Sequence, residues 1–230
     1  MTEEQLVITI DGPAGAGKST LAKALARSLG WTYLDTGAMY RAVGFAAHRD
    51  GVDVADEAAM ATVVANLDLS VAPGDGAMRV FLGPREITGE IRRPHISKLA
   101  SDASRLRVVR EAMKDLQQAI GRKGRVVAEG RDMGTVVFPG AGLKFFLQAT
   151  LDERARRRFV ELQDAGEKIS QEKVRQDMAA RDDADSTRAL APLKPAENAI
   201  LVDSTALTIQ EVLNVMISEL LKKWPGLSTK

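Results

Sequence analysis

A glycine-rich stretch near the start of the chain constrains its fold more than any other feature of the sequence. Residues 12–20 read GPAGAGKST and follow the apolar run LVITI at residues 6–10, with Asp11 between them. The spacing matches the pattern G-x-x-x-x-G-K-[ST]. Glycines let such a loop curl so that successive backbone N–H groups face inward, and the next helix points its positive end at the same place. The stretch therefore predicts a phosphate-binding loop between a strand and a helix.

Short apolar runs typical of buried parallel strands recur along the chain, at residues 6–11, 31–35, 125–129, 143–147 and 199–203. Helical periodicity falls between them, over residues 21–29, about 96–120 and 208–223, and capping-box spacing predicts helix starts at Thr150 and Thr208. This alternation predicts an α/β doubly wound parallel sheet, with its sites at the carboxyl ends of the strands. Asp11, Asp35 and Glu129 lie at three such ends.

One region interrupts the alternation of strands and helices. Residues 67–91 read LDLSVAPGDGAMRVFLGPREITGEI, with turn signals at 73–76 and 83–84 between β-like runs. The pattern predicts a small antiparallel β insertion.

Composition and charge exclude several classes of protein. The 230 residues suffice for one main domain, and a net charge of +1 gives no global field for nucleic acid or an anionic membrane. The absence of cysteine excludes disulfides and thiolate metal sites, and His48 and His95 have no metal-ligand spacing. Residues 1–5 are acidic, and no apolar run approaches the ~20 residues that span a bilayer. We therefore expect a cytoplasmic monomer.

The loop itself predicts ATP or GTP as a ligand. Its nucleotide-binding residues are Gly12, Pro13, Ala14, Gly15, Ala16, Gly17, Lys18, Ser19 and Thr20. Lys18 can reach the terminal phosphates, and the hydroxyl of either Ser19 or Thr20 can hold Mg²⁺. The sequence leaves open which of the two hydroxyls does so.

Three nucleotide-using classes share such a loop. A GTPase switch normally carries a guanine-reading N-K-x-D segment, and this chain has no Asn-Lys pair. A motor or assembly ATPase has no need of a second basic pocket, whereas a small kinase must align a charged acceptor with the γ-phosphate.

The arginines of this chain favour the kinase. Guanidinium groups suit phosphate oxygens, and five arginines are candidates for such a basic pocket: Arg41, Arg110, Arg131, Arg181 and Arg188. We expect four of the five to lie in loops or at element ends near the site. The run RARRR at 154–158 indicates a mobile lid that brings cations over the reacting phosphates.

Taken together, the motifs resemble those of bacterial cytidylate kinases, which are phosphate-loop nucleoside monophosphate kinases. The matching segments are GPAGAGKST, DTGAMYR at 35–41, EGRDMGTVVFP at 129–139, and RDDAD at 181–185 with Arg188 and APL at 191–193. The resemblance implies a five-stranded parallel sheet with three regions. These are a core of residues 1–37, 121–150 and 186–230, a monophosphate-binding domain of residues 38–120 with the β insertion at about 67–91, and a lid of residues 151–185.

The resemblance also implies the reaction and its residues. ATP would phosphorylate CMP or dCMP, with Mg²⁺, by direct in-line transfer. Thr36, Arg41 and Arg131 would face the acceptor phosphate, and Arg181 would approach it as the lid closes. Ser101, Arg110, Asp132 and Arg188 would surround the cytosine, and Asp185 would meet the sugar. Lys18, Arg131, Arg158 and Arg181 would be catalytic, and Arg154 and Arg158 would also bind the donor nucleotide.

Two other functions remain open from the residues alone. The chain could phosphorylate another small acceptor, such as a different nucleotide or a carboxylated metabolite. It could also be a non-catalytic regulator that binds ATP.

Overall fold

A five-stranded parallel sheet forms the centre of the computed structural model, which describes residues 6–74 and 77–227. The strands follow the spatial order β2-β6-β1-β7-β8. Their bounds are β1 Val7–Asp11, β2 Thr32–Asp35, β6 Val126–Gly130, β7 Leu143–Gln148 and β8 Ile200–Asp203. The five predicted strands are thus confirmed, each to within one residue at either end. The acidic residues 1–5, on which part of the expected location rests, lie outside the described residues.

Helices cover both faces of this sheet, as the burial of its strands requires. Their bounds are α1 Lys18–Leu29, α2 Thr36–Arg49, α3 Glu57–Ala65, α4 Pro94–Ala103, α5 Arg107–Gly121, α6 Leu151–Asp164, α7 Gln171–Thr187 and α8 Ile209–Lys223. One apolar core includes Ile10, Leu21 and Met216, and a second includes Leu34, Met39 and Met113. No helix within the described ranges has the length and apolar character needed to cross a membrane.

The single helix predicted over residues 96–120 is wrong, because two helices occupy this span. α4 ends at Ala103, and Leu106 adopts an extended backbone (φ −77°, ψ 132°) before α5 begins at Arg107. The Ser104 hydroxyl donates to the Ser101 carbonyl, a local bond that competes with helix continuation. The continuous apolar periodicity concealed this break.

The interruption at residues 67–91 is confirmed as an antiparallel β insertion. It consists of β3 Leu69–Ala72, β4 Arg79–Leu82 and β5 Arg85–Glu86, in that spatial order. Gly83 has φ +55° in the turn between β4 and β5, where glycine meets no steric penalty. The first turn signal falls partly on residues 75–76, outside the described residues.

Two helices, α6 and α7, form most of the region predicted as a lid. α6 begins at its N-cap Thr150, whose hydroxyl accepts from the Glu153 N–H, as the capping-box spacing predicts. Ala155 on α6 packs against Val174 and Met178 on α7 in a small apolar cluster. This cluster makes the two helices one packed unit.

A close approach between α2 and α4 generates the first testable prediction. A Cβ on Gly44 would lie 2.9 Å from the Ala100 backbone nitrogen and 3.2 Å from the Leu99 carbonyl carbon. We expect Gly44→Ala to lower the free energy of unfolding in urea by about 1–3 kcal/mol, since overpacking against a backbone outweighs the better helix propensity of alanine. Gly89→Ala is the control, because nothing lies within 4 Å of its Cβ position. Equal unfolding midpoints for the two variants would contradict this prediction.

Candidate active site

The glycine-rich loop joins β1 to α1 at the carboxyl end of the sheet. Gly12 has φ +146°, and a Cβ there would lie 2.0 Å from the Leu147 carbonyl oxygen on β7. Only glycine fits this position. Lys18 is buried and donates from Nζ to the Pro13 carbonyl at 2.6 Å, which folds its side chain back over the loop. Burial, followed by the charge of Arg131, lowers the pKa of Lys18.

A buried carboxylate faces the start of α1 from the end of β6. Glu129 Oε2 accepts from the Ser19 hydroxyl at 2.8 Å, and Oε1 accepts from the Tyr33 hydroxyl. Burial raises the pKa of Glu129, and the like charge of Asp35 raises it further. Ser19 is therefore the hydroxyl directed at this carboxylate. Ser19 and Thr20 are both exposed, and within the described residues the Thr20 side chain makes no hydrogen bond.

Sequence reasoning did not assign a role to Glu129 or Tyr33. It had placed Glu129 at a strand end, which is where sites form in such sheets. The register Tyr33↔Val127 and Asp35↔Glu129 puts Tyr33 diagonal to Glu129 on one face of the sheet. The strand-end position was the available signal for Glu129, whereas the contact with Tyr33 depends on strand order.

Asp132 lies at the centre of a second buried cluster. Its Oδ2 accepts from Arg110 Nη2, and its Oδ1 lies 3.6 Å from Arg188 Nη2. Burial raises the pKa of Asp132, while the charges of Arg110 and Arg188 oppose that rise. The Arg110 guanidinium also lies 5.8 Å from the ring centroid of Tyr40, a residue to which sequence reasoning gave no role. Burial raises the pKa of Tyr40 to about 12.

Predicted Ser101 is placed near this cluster without a direct bond to it. It lies on α4 at intermediate burial, and its carbonyl accepts from the Ser104 hydroxyl. Arg110 Nη1 in turn donates to the Ser104 carbonyl at 3.3 Å. The break between α4 and α5 thus lies beside the arginine that contacts Asp132.

A third carboxylate, Asp185, gathers three of the predicted phosphate-binding or base-binding arginines. Arg131 Nε donates to Asp185 Oδ2 at 2.8 Å. Arg181 Nε lies 4.0 Å from the same oxygen, and Arg188 Nη1 lies 3.9 Å from Oδ1. Burial raises the pKa of Asp185, but the arginines, with Arg131 first, outweigh it and hold that pKa below its usual value. Burial and the charge of Arg131 lower the pKa of Arg181 to about 10.

The remaining predicted acceptor residues, Thr36 and Arg41, lie in the first two turns of α2, beside the ends of β2 and β6. Thr36 Oγ1 donates to the Glu129 carbonyl at 2.6 Å, and Arg41 Nη2 lies 3.3 Å from Asp35 Oδ2. The expectation that Arg41 and Arg181 lie in loops or at element ends is wrong. Both lie within helices, α2 and α7. α2 begins directly after β2, so a residue on its second turn is still close to the strand end.

The two lid arginines have different surroundings. Arg154 is buried, where it bonds the Ala149 carbonyl at 2.9 Å, the Ala14 carbonyl at 3.2 Å and Asp182 Oδ2 at 2.7 Å. Arg154 therefore ties α6 and α7 to the glycine-rich loop. Arg158 is half-exposed and pairs with Glu161 at 2.9 Å, although its charge still contributes to the lowered pKa of Arg181.

Comparisons with known proteins identify the family of the chain. The family model for cytidylate kinase matches residues 8–222. A cytidylate kinase from Carboxydothermus hydrogenoformans is 48% identical over 206 residues, which cover 90% of this chain and 93% of the relative. A cytidylate kinase from Geobacter sulfurreducens is 46% identical over 213 residues, which cover 93% of this chain and 91% of the relative. A solved shikimate kinase from Bacteroides thetaiotaomicron is similar over 94% of this chain and 98% of its own, with 15% identity and a TM-score of 0.48. The match to the family model over residues 8–222 and the identity to these two cytidylate kinases show that the chain belongs to the cytidylate kinase family.

Proposed function

We propose that this chain transfers the γ-phosphoryl group of ATP to CMP or dCMP, giving ADP and CDP or dCDP. The observation that carries the proposal is the buried cluster of Asp132 between Arg110 and Arg188, because it offers both an acceptor and donors to a nucleobase. The relatives named cytidylate kinase support the same substrate class.

On the donor side, the loop N–H groups and Lys18 bind the phosphates of ATP. Lys18 lies at the N-terminus of α1, where the helix dipole also favours negative charge. Its ammonium group is held by burial among fixed partners, so it needs little rearrangement as charge develops on the transferred group.

The residues at the start of α1 fit a magnesium ion. Ser19 supplies a hydroxyl and Glu129 a buried carboxylate, 2.8 Å apart, which are the oxygen ligands that Mg²⁺ prefers. Among the described residues, no three His, Cys, Asp or Glu side chains converge as a metal site, so phosphate oxygens and water would complete the shell. An ion held by Ser19 and Glu129 would supply positive charge against the phosphates of the donor nucleotide.

On the acceptor side, Asp132 accepts from the exocyclic amine of cytosine, and Arg110 and Arg188 donate to its ring nitrogen and carbonyl. Uracil presents a carbonyl where cytosine presents the amine, so an ionised Asp132 repels it. The charges of the two arginines favour ionised Asp132 against the effect of burial.

Transfer requires the acceptor phosphate to be aligned with the γ-phosphate, and arginines supply that alignment. Arg41, Arg131 and Arg181 bind the acceptor phosphate, with Thr36 beside them, and Asp185 binds the sugar. Arg131 and Arg181 rest against Asp185 in this structure, so they turn from a carboxylate toward the phosphate as CMP binds. No covalent intermediate on the enzyme is needed, because positioning and charge neutralisation supply most of the catalysis.

A coupled ADP-release assay with a panel of acceptors tests the proposal. We expect ADP release that depends on CMP or dCMP. Release with a different acceptor would favour another small-molecule kinase, and ATP binding without transfer would favour a regulator.

The first functional prediction concerns Lys18. We expect Lys18→Ala to lower kcat by at least ~10²-fold with a smaller effect on KM for CMP, because the lysine stabilises charge that develops in the transition state. Steady-state kinetics with varied CMP measure both constants, and Lys222→Ala, an exposed lysine on α8, is the control. Near-normal turnover by Lys18→Ala would exclude this role.

The second prediction concerns base selection. An amide can present either a donor or an acceptor, so Asp132→Asn should weaken the use of CMP and improve UMP relative to it. Comparing kcat/KM for the two acceptors measures the change, and the full discrimination available to a desolvated polar site is of order 10⁴. If the CMP-to-UMP ratio is unchanged while stability falls, Asp132 is a structural partner of Arg110, and the reading of cytosine belongs to Ser101, Arg110 and Arg188.

The third prediction concerns closure of the lid, residues 151–185. Hydrogen exchange should slow across this segment only when CMP and a non-hydrolysable ATP analogue are both bound. Because Arg154 links α6 and α7 to the loop, Arg154→Met should lose most of this protection, while Arg156→Met, an exposed arginine on the same helix, should retain it. Equal protection of the unmodified protein with and without both nucleotides would show that no lid closes.

A further inference from the structure

Asp11 is a buried carboxylate that the proposed chemistry does not use. It is the last residue of β1 and is 4% exposed. Its Oδ1 accepts from the Met133 N–H at 2.9 Å, and its Oδ2 accepts from the Gly134 N–H at 2.7 Å. Asp11 precedes the phosphate loop directly, yet both of its hydrogen bonds reach the segment that follows β6.

These two N–H groups open a short π-helical turn over Met133–Val137, which follows Asp132. Aspartate at the position before a helical turn normally caps that turn by accepting from an N–H two or three residues later. Asp132 makes no such bond, because its carboxylate faces Arg110 and Arg188 instead. Of the N–H groups that Asp132 could cap, the Gly134 N–H is bonded by Asp11 instead, and Asp11 also accepts from the Met133 N–H, which lies 122 residues further along the chain.

We propose that Asp11 is a positioning residue for acceptor specificity, which caps the turn Met133–Val137 in place of Asp132 and so leaves the Asp132 carboxylate free to read the base. The proposal rests on the proposed function, since it assigns a cause to the orientation of the base-reading residue. Asp11 acts through Asp132 and does not itself touch the acceptor.

Packing holds the turn against the strand that carries Asp11. A Cβ on Gly134 would lie 3.0 Å from Thr9 Oγ1 and 3.2 Å from Lys144 Cδ. The backbone of the turn therefore lies close enough to β1 for a short side chain to reach it. With this close approach, the Asp11 carboxylate keeps both N–H groups within hydrogen-bond distance.

Burial disfavours the ionised form of Asp11. Burial raises its pKa from 3.8 to about 6, with Asp132 adding to the rise and Lys18 and the two N–H groups opposing it. Lys144 also faces it: burial lowers the pKa of Lys144, and the charge of Asp11 opposes that fall. Because the folded pKa exceeds the unfolded one, Asp11 contributes a free energy of unfolding that falls as pH rises from about 3.8 to 6.

The variant Asp11→Asn tests the proposal. Its amide oxygen can accept from one N–H, but its NH₂ group faces the other, so Asp132 competes to cap its own turn. We expect the CMP-to-UMP ratio of kcat/KM to fall about tenfold, which corresponds to the loss of one charged hydrogen bond, with unchanged affinity for ATP measured by calorimetry. Asp56→Asn is the matched control, because Asp56 caps α3 through the Ala59 N–H at an exposed site. It should lower the melting temperature slightly without changing the ratio.

A double-mutant cycle separates positioning from general structural damage. In the Asp132→Asn background, Asp11→Asn should change the ratio by less than twofold, since the group that it positions is already altered. Asp11→Ser, whose hydroxyl can accept from one N–H, provides a second variant with an intermediate loss of selectivity. Equal falls of kcat/KM for CMP and UMP, full additivity of the two changes, or a parallel loss of ATP affinity would each overturn the proposal. Failure of the proposed function would look different, because the unmodified protein would then release no ADP in response to CMP.

Discussion

The parallel pairing of β1 with β6 is the constraint on which the site depends. Their register aligns Ile10 with Glu129 and Asp11 with Gly130. The strand that leads into the glycine-rich loop and the strand that leads into Asp132 therefore end together. Lys18 and Asp132 are thereby brought to the same edge of the sheet, although they are far apart in sequence. A one-residue slip would turn Glu129 away from Ser19 and send it to the opposite face.

The buried carboxylates at this edge of the sheet depend on neighbouring hydroxyl and guanidinium groups for their ionised forms. Glu129, Asp132 and Asp185 are each buried, and each lies close to hydroxyls or guanidinium groups that offset the loss of water. Removing one partner leaves a buried charge unpaired, which lowers the stability of the folded protein strongly. The arrangement therefore favours specificity and rigidity over stability.

Much of this fold was predictable from the sequence, because each buried parallel strand forms a short apolar run and the glycine-rich loop has a fixed spacing. The split between α4 and α5 was not predictable, since the apolar periodicity continues across Ser104 and Leu106. Residues that a motif marks, such as Lys18 and Asp132, could be placed at this edge of the sheet from the sequence, and their roles stay predictions. Tyr33 was missed because its contact with Glu129 arises from the order of strands in the sheet, which no local pattern records. The different surroundings of Arg154 and Arg158 likewise depend on how α6 packs against the loop.

Asp185 contacts Arg131 and Arg181, the two arginines that would bind the acceptor phosphate under the proposed function. The Asp185 carboxylate is thus a counter-ion for these arginines. Under the proposed function, the phosphate of the acceptor replaces that carboxylate as their partner when the acceptor binds. A nucleoside without a phosphate brings nothing to exchange, so it leaves both arginines with Asp185. Selection for a phosphorylated acceptor then begins with this competition, before any nucleobase is read.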